Sequence, residues 1–317
     1  MRLSTAIRAT AWGIVIAGVA APLARRRLRA PSVLVQSVAY AAPLALSVAA
    51  RRTRARDVAV CGLQMWAYTA AYKTPHDDPD AQASRVQISY PIVADRVLGL
   101  GQLPTVRLQR ALAHQGPEGP EWDGLDRVLV WAHWSWFMFP HGTLVYLLLR
   151  HPQRFPRAAV LTYSVFNLGA CAYWLLPTAP PWYAAGAREE RGSDGAVEVR
   201  RMMVEYGEEF WRDGWGSLYS VFGGNPLAAM PSLHFATSVM AALLLAEGGP
   251  VAGAVGFAYT ATLGFALVYL GEHYVVDLIA GAALTLAVRR IGPRAGPTIE
   301  RLGRVLAALE AVAHEAA

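Results

Sequence analysis

Apolar runs near membrane-spanning length alternate with short arginine-rich blocks along the chain, and this alternation restricts the fold more than any other feature. The runs fall at roughly 9–24, 31–50, 57–72, 128–149, 158–177, 234–247, 251–271 and 274–288. A helix needs about 20 apolar residues, within a range of ~17–25, to cross the hydrocarbon core of a bilayer. Runs 31–50, 128–149, 158–177 and 251–271 reach that length. Run 234–247 reaches it from Pro231, and run 274–288 reaches it when taken from Leu270 to Arg290. Runs 9–24 and 57–72 are short. The chain therefore reads as all-α: a polytopic membrane helix bundle with a six-helix core, six to eight spans in all, and interfacial amphipathic helices. Ala9 to Ala24 resembles a signal peptide, but Arg25-Arg26-Arg27 and further apolar runs follow it, so it is read as part of the mature chain.

Composition agrees. Charged residues are 16% of the 317, against about 25% in an ordinary soluble domain. Ten Trp and thirteen Tyr suit membrane–water interfaces. The net charge of +6 is nearly all arginine, Lys73 being the only lysine. These arginines lie beside apolar runs, where they act as topology signals and headgroup contacts. A nucleic-acid surface is not expected. Cys61 and Cys171 sit in apolar runs with no CxxC pair and no metal-ligand spacing, and read as buried thiols.

Lys and Arg in short loops stay cytoplasmic. Arg150, Arg154 and Arg157 place the 150–157 connection inside, and Arg289, Arg290 and Arg294 place the end of the last span inside. Tracing between them puts 178–233 outside, the Glu247–Pro250 turn inside and the 271–273 turn outside. His234 and His273 then reach the same outer face. Arg51, Arg52, Arg54 and Arg56 place that end of 57–72 inside, so 73–127 is external. The first fifty residues allow two arrangements. Counting every run gives eight spans and leaves Arg25–Arg29 outside, against the charge rule; a cytoplasmic-side hairpin over 9–50 gives six.

Four regions follow: N-terminal membrane segments 1–72, an external interfacial segment 73–127, a membrane core 128–290 carrying the external loop 178–233, and a tail 291–317. The external segment is polar at His76, Asp77, Asp78 and Asp80 and turns amphipathic over Ile92–Leu112, as a helix lying among headgroups would. Pro177-Thr178-Ala179-Pro180-Pro181-Trp182-Tyr183 is not expected to form a regular helix. A second amphipathic helix is expected near Val199–Trp211. Leu302, Val305, Leu306, Leu309 and Val312 give the tail helical spacing beyond Pro297. No internal repeat is evident.

Two segments carry chemistry: Met230-Pro231-Ser232-Leu233-His234 and His273-Tyr274-Val275-Val276-Asp277. On a helix, residues four apart share a face, so Asp277 should brace the His273 imidazole. A carboxylate there fixes the ring's tautomer and stabilises its charged form. An ionisable group within an apolar span is costly and marks function by default. His273 is thus the expected nucleophile at phosphorus, Asp277 its orienting carboxylate and His234 the general acid. Ser232 stands where the chain enters a helix, and free amides and a hydroxyl there suit phosphate oxygens. The Phe222-Gly223-Gly224-Asn225-Pro226 loop could also present amides to a phosphate, or be an ordinary turn. His133 and His141, among Trp131, Trp134, Trp136 and Phe139, read as interfacial residues, and so do His76, His114, His151 and His314.

These segments resemble the type 2 phosphatidic acid phosphatase superfamily, and within it most closely the inositol phosphorylceramide synthase branch. The PSLH element stands as Pro231-Ser232-Leu233-His234 and the HYxVD element as His273-Tyr274-Val275-Val276-Asp277, with 39 residues between the histidines. Ala179-Pro180-Pro181-Trp182-Tyr183 is similar to a further motif of the synthases. The resemblance spans roughly 85–290. It implies a six-helix membrane core, phosphohistidine chemistry on His273, His234 and Asp277, and neither metal nor cofactor. Pro181, Trp182 and Tyr183, with Ser232, become candidate substrate contacts. The superfamily's phosphatases also carry a KxxxxxxRP element and an SR pair; Ala266 and Leu267 occupy the SR positions here, and no KxxxxxxRP element follows Lys73. Arg85, Arg96, Arg107, Arg188, Arg200, Arg201 and Arg212 are candidate replacements.

The expected activity is a membrane phosphotransferase that moves a phospho-headgroup, such as phosphoinositol, from a phospholipid to a lipid or polyol hydroxyl. A lipid phosphate phosphatase using the same residues is the alternative, and a non-enzymatic proton relay or transporter is the second. Relays usually lie near the bilayer midplane, whereas both histidines map to one edge. The expected partners are phospholipids of the bilayer. The expected setting is a bacterial plasma membrane, the arginine bias suggesting a GC-rich genome, with the active site on the extracytoplasmic face.

Overall fold

A computed structural model of the chain describes residues 3–73, 80, 82, 84–117, 119–189, 199–222 and 225–315. Among these residues the chain is helical apart from one two-stranded hairpin and two isolated bridges. The helices are α1 (Leu3–Leu28), α2 (Ser32–Ala49), α3 (Arg54–Lys73), α4 (Ser89–Leu98), α5 (Pro104–Leu112), α6 (Gly124–Trp134), α7 (Met138–Arg150), α8 (Phe155–Leu175), α9 (Pro181–Glu189), α10 (Met202–Trp211), α11 (Asp213–Phe222), α12 (Leu233–Ala246), α13 (Pro250–Tyr269) and α14 (Val275–His314). The hairpin pairs His114–Gly116 with Gly119–Glu121. Four of these helices are long and apolar enough to cross a membrane: Leu3–Arg25 of α1, then α2, α8 and α13. The chain is an all-α polytopic membrane protein. Both α1 and α2 meet the length and hydropathy of a span.

The chain forms two compact units, Met1–Asp77 with Val145–Asn167 and Val288–Ala317, and Asp78–Leu144 with Leu168–Ala287. In the first unit α1 packs along α2, and α2 along α3. Ala11, Val15, Ala45, Leu46, Val48, Ala49 and Ala313 form its buried cluster. Arg56 donates to the Ser47 and Ala50 carbonyls at 3.0 Å each, and to Glu310 at 2.9 Å. A cation there answers the unpaired carbonyls at the end of α2.

In the second unit Leu129 and Val130 of α6, Met202, Met203 and Tyr206 of α10, and Ala266, Tyr269 and Leu270 at the end of α13 form one buried cluster. Its polar seams are satisfied in pairs. The Tyr269 hydroxyl donates to Asp126 at 2.6 Å. Gln109 of α5 donates to the Tyr269 and Arg200 carbonyls at 2.9 Å each and accepts the Arg200 N–H at 3.0 Å. These bonds fix the turn between α13 and α14.

Several segments depart from the sequence reading, each for a local reason. The run 128–149 is two helices, α6 and α7. The Ser135 hydroxyl donates back to the Trp131 carbonyl at 2.7 Å, and three-residue turn bonds carry the chain from His133 to Phe139. The amphipathic stretch Ile92–Leu112 is likewise two helices, parted where Leu100 and Gly101 adopt φ of 55° and 94°. Pro177 to Pro180 is extended, but Pro181 opens α9, because the first helical position needs no N–H. Thr178 is bridged on both sides, to Gln87 and to Ala228, which ties three loops together. The tail is the continuation of the last apolar run: α14 extends through Pro293 and Pro297 for 40 residues. Each proline removes one N–H and crowds the carbonyl four residues back, yet the helix continues through both. The helix near Val199–Trp211 forms as α10.

Candidate active site

His234 is the second residue of α12. Ser232 caps that helix, its hydroxyl oxygen accepting the Phe235 N–H at 3.3 Å. Ser232 is fully buried and its own N–H donates to the Asp277 carbonyl at 3.0 Å. The two motif segments are therefore joined backbone to backbone. Further along the seam, the Thr285 hydroxyl donates to the Ala236 carbonyl at 2.7 Å. Gly281 makes the approach possible: a Cβ at that position would lie 2.5 Å from the Ser232 carbonyl oxygen.

His273 and Asp277 meet, but not by sharing a helix face. Helix α14 begins at Val275, so His273 lies in the turn before it and Asp277 in its first turn. Asp277 Oδ2 accepts the Tyr274 N–H at 2.9 Å, reaching back to the residue that precedes the helix, and stands 3.3 Å from His273 Nδ1. The i, i+4 spacing is right because a helix-capping turn, not a helical face, brings the groups together. Asp277 is fully buried and His273 is 4% exposed. An acceptor at Nδ1 requires the Nδ1–H tautomer, which leaves Nε2 with its lone pair outward. That atom lies 3.1 Å from His234 Nδ1.

Two residues that sequence reasoning left out belong to this centre. Asp95 of α4, fully buried, accepts the Val275 N–H at 3.0 Å and the Val276 N–H at 2.8 Å. Asp95 and Asp277 together thus satisfy the free amides at the start of α14. Burial pushes the Asp95 carboxyl above the usual carboxylate range; the two N–H donors oppose the shift and the Asp277 charge adds to it. Its signal was a carboxylate within the apolar face of an amphipathic stretch. The second is His133, whose ring stacks on His234 with centroids 5.1 Å apart and planes at 28°. Trp136 closes another side of His234, its centroid 4.2 Å away. His141, by contrast, bonds the Phe137 carbonyl at 2.8 Å and stacks on Phe137, as a structural residue does.

The candidate substrate contacts fall on one rim. The Trp182 backbone N–H donates to the Gly271 carbonyl at 3.4 Å, and the Arg201 guanidinium lies 3.8 Å above the Trp182 ring. Arg201 also pairs with Glu272, the neighbour of His273, at 3.0 Å. Pro181 is buried at the start of α9, and Tyr183 packs against the cluster of Ile92, Ala179, Ala184 and Tyr274. Among the described residues, Arg201 is thus the candidate arginine seen tied to a neighbour of His273. Arg85 is bonded to the Trp174 carbonyl, Arg107 to the Gly99 carbonyl and Arg200 to Glu205. The side chain of Arg188, with Gly223, Gly224, His76, Asp77 and Asp78, lies outside the described residues. Away from the dyad, His114, Asp123 and Asp126 bring three possible metal-ligating atoms within 4.8 Å. Asp123 and Asp126 there form the capping box of α6, and Asp126 also holds Tyr269.

The profile of the PAP2 superfamily matches residues 122–291, more than half of the chain. The chain belongs to the PAP2 superfamily. The PAP2 match takes in α6 with His133, both motif segments and the Arg201 rim, and leaves Asp95 outside. The chain is 29% identical over 174 residues to the inositol phosphorylceramide synthase of Candida albicans, covering 52% of this chain and 36% of that protein. It is 30% identical over 132 residues to the catalytic subunit of the same synthase from Schizosaccharomyces pombe, covering 39% of this chain and 30% of that one. The Saccharomyces cerevisiae catalytic subunit is 29% identical over 120 residues, covering 36% and 28%. The chain thus spans about a third of the length of the curated relatives it matches. No solved structure matches it significantly. Ala266 and Leu267, at the superfamily's SR positions, are fully buried, Ala266 in the cluster with Leu129 and Tyr269 and Leu267 with Leu263 and Leu278.

Proposed function

We propose that this PAP2 protein is a membrane phosphotransferase, moving a phospho-headgroup from a phospholipid to a lipid or polyol hydroxyl through a phosphohistidine on His273. The observation that carries the reading is the chain Asp277–His273–His234, with contacts of 3.3 Å between the buried Asp277 and His273 and 3.1 Å from His273 to the half-buried His234. In the first half-reaction the His273 Nε2 lone pair attacks phosphorus. The bond from phosphorus to the departing lipid oxygen breaks, and protonated His234 gives that oxygen its proton. Asp277 stabilises the positive charge that grows on His273. In the second, an acceptor hydroxyl gives its proton to His234 and attacks the phosphohistidine. The P–N bond breaks and its electron pair returns to Nε2. Attack by water instead yields hydrolysis with the same residues, so exclusion of water decides between transferase and phosphatase. The burial of His273 and Asp277 supports transfer.

Phosphoinositol is the first headgroup to test, because the matched relatives carry the name inositol phosphorylceramide synthase. We place the site on the extracytoplasmic face of its membrane, on the strength of Arg150, Arg154 and Arg157 around the start of α8 and Arg289, Arg290 and Arg294 along α14. The test is product analysis with the purified chain in lipid, using phosphorus-labelled donors with and without hydroxyl acceptors. The expected result is an acceptor-dependent labelled lipid, and label trapped on the wild type but absent from His273→Ala. Free phosphate without acceptor dependence would assign a phosphatase. Full turnover by His273→Ala would remove the phosphohistidine.

A further inference from the structure

The three imidazoles of the site are unequal. His273 is braced by Asp277, and His234 is bonded to His273. His133 has neither ring nitrogen in a hydrogen bond, although both are buried. Buried polar atoms nearly always find partners, so a pair of orphans on one ring asks for an explanation other than packing. The backbone around it is firmly held. The Tyr259 hydroxyl donates to the Ala132 carbonyl at 2.9 Å, and Asp123 and Asp126 form a reciprocal capping box at the head of α6. Glu272, His273 and Arg201 are close enough to act electrostatically on the ring.

A phosphorus atom attacked by His273 Nε2 must take the place of His234 Nδ1, which stands 3.1 Å away. The ring that yields is the one stacked on His133. Its displacement uncovers His133 to the incoming phosphoryl group. We propose that His133 is a phosphate-binding residue of this site, donating a ring N–H to a nonbridging phosphoryl oxygen where Ala266 and Leu267 offer no cation. The Trp182 indole N–H, also buried and without a partner, lies under the Arg201 guanidinium on the neighbouring rim. The ligand chemistry is a phosphate oxyanion, borne by a lipid headgroup or free in solution. This inference rests on the phosphotransfer reading above and says which group grips the transferred phosphate.

The test uses the full chain and three forms of position 133: wild type, His133→Phe, which keeps a stacking ring without nitrogens, and His133→Asn, which restores one N–H donor. Two probes are measured, inorganic phosphate by 31P line broadening and a labelled phospholipid donor by KM and label trapped on His273. A charge-assisted hydrogen bond lost at the oxyanion weakens binding about ten- to a hundredfold. The expected result is that His133→Phe loses this factor in KM and in phosphate affinity at an unchanged melting temperature, with partial recovery in His133→Asn. Loss with the lipid donor alone places the grip on the headgroup-bound form; loss with both makes it general for phosphate. Wild-type behaviour of His133→Phe would overturn the assignment, and so would equal losses in both variants accompanied by a lowered melting temperature. If no donor is turned over but wild type binds phosphate and His133→Phe does not, the binding site stands and the phosphotransfer reading falls. Failure of the wild type to bind both inorganic phosphate and the lipid donor overturns the inference itself.

Discussion

Gly281→Ala is the smallest change that should separate the two histidines. The added Cβ would stand 2.5 Å from the Ser232 carbonyl oxygen and 3.3 Å from the Ala236 nitrogen. Both are backbone atoms on α12, so no side chain can rotate away. Ordinary contact begins near ~3.4 Å, so the helices must part by up to ~0.9 Å at this crossing. Overpacking of this kind costs about 1–3 kcal/mol, against ~1 kcal/mol gained because Ala favours a helix over Gly. Net stability therefore changes little. Catalysis is less forgiving. The crossing lies beside the Ser232–Asp277 backbone bond that sets His234 against His273, and a misplacement near 1 Å costs about a hundredfold in rate. Gly292→Ala is the control on the same helix, since its Cβ meets only the Leu161 side chain at 3.4 Å. The assay is acceptor-dependent transfer beside a thermal melt in the same detergent. Gly281→Ala should lose ~100-fold in rate with a near-normal melt, and Gly292→Ala should match wild type. Equal activity in the two variants would show that the α12–α14 seam does not set the distance between the imidazoles.

Asp277→Asn keeps an oxygen that can accept the Tyr274 N–H and should leave the chain folded, but it removes the negative charge that stabilises the His273 imidazolium, lowering transfer and label trapping by about 10²–10⁴-fold; a wild-type rate would detach Asp277 from the chemistry. Asp95→Ala strips two amides at the head of α14 of their acceptor, at a cost of about 2–4 kcal/mol that a thermal melt would register, and an unchanged melt would mean the helix start is held otherwise. The raised Asp95 carboxyl gives a pH signature as well. The native chain holds that proton more tightly than the unfolded chain, so its contribution favours folding at low pH and is lost as pH rises from the ordinary aspartate value to the raised one; Asp95→Asn should flatten that slope in melts taken across the window. Tyr269→Phe leaves a fully buried Asp126 oxygen without its 2.6 Å donor and should lower stability by about 1–3 kcal/mol, with transfer per folded molecule kept.

The membrane character and the meeting of His234, His273 and Asp277 were legible because their signals are one-dimensional. Run length decides which segments can span a bilayer, and the turn that joins His273 to Asp277 is built from five consecutive residues. What escaped is what depends on the path of the chain between distant segments. Asp95 serves α14 across 180 residues, and nothing near it in sequence marks the partner. His133 looked like one more ring at a span end, and a break after Trp134, made by Ser135 bonding back to its own helix, is what leaves it beside His234. The same break turned one expected span into two helices. The continuous α14 was hidden by Pro293 and Pro297, which read as stops in a sequence although the helix runs through both.

The placement of His273 explains why so much of this polar apparatus is carboxylate. His273 sits just before a helix that starts inside an apolar surround, where the first amides of that helix find no water. Two acids, Asp95 and Asp277, answer that need, and one of them is at the same time the partner of the imidazole. Helix start and imidazole are therefore held by a single carboxylate. It follows that the geometry of attack and the local fold cannot be tuned apart at Asp277, whereas they can at Asp95, which touches the helix and not the ring. Substitutions at Asp95 should therefore be rescued by anything that stabilises the fold, such as lower temperature or added lipid. Those at Asp277 should not. A rescue of Asp277→Asn by lower temperature would refute the assignment of its carboxylate to the ring.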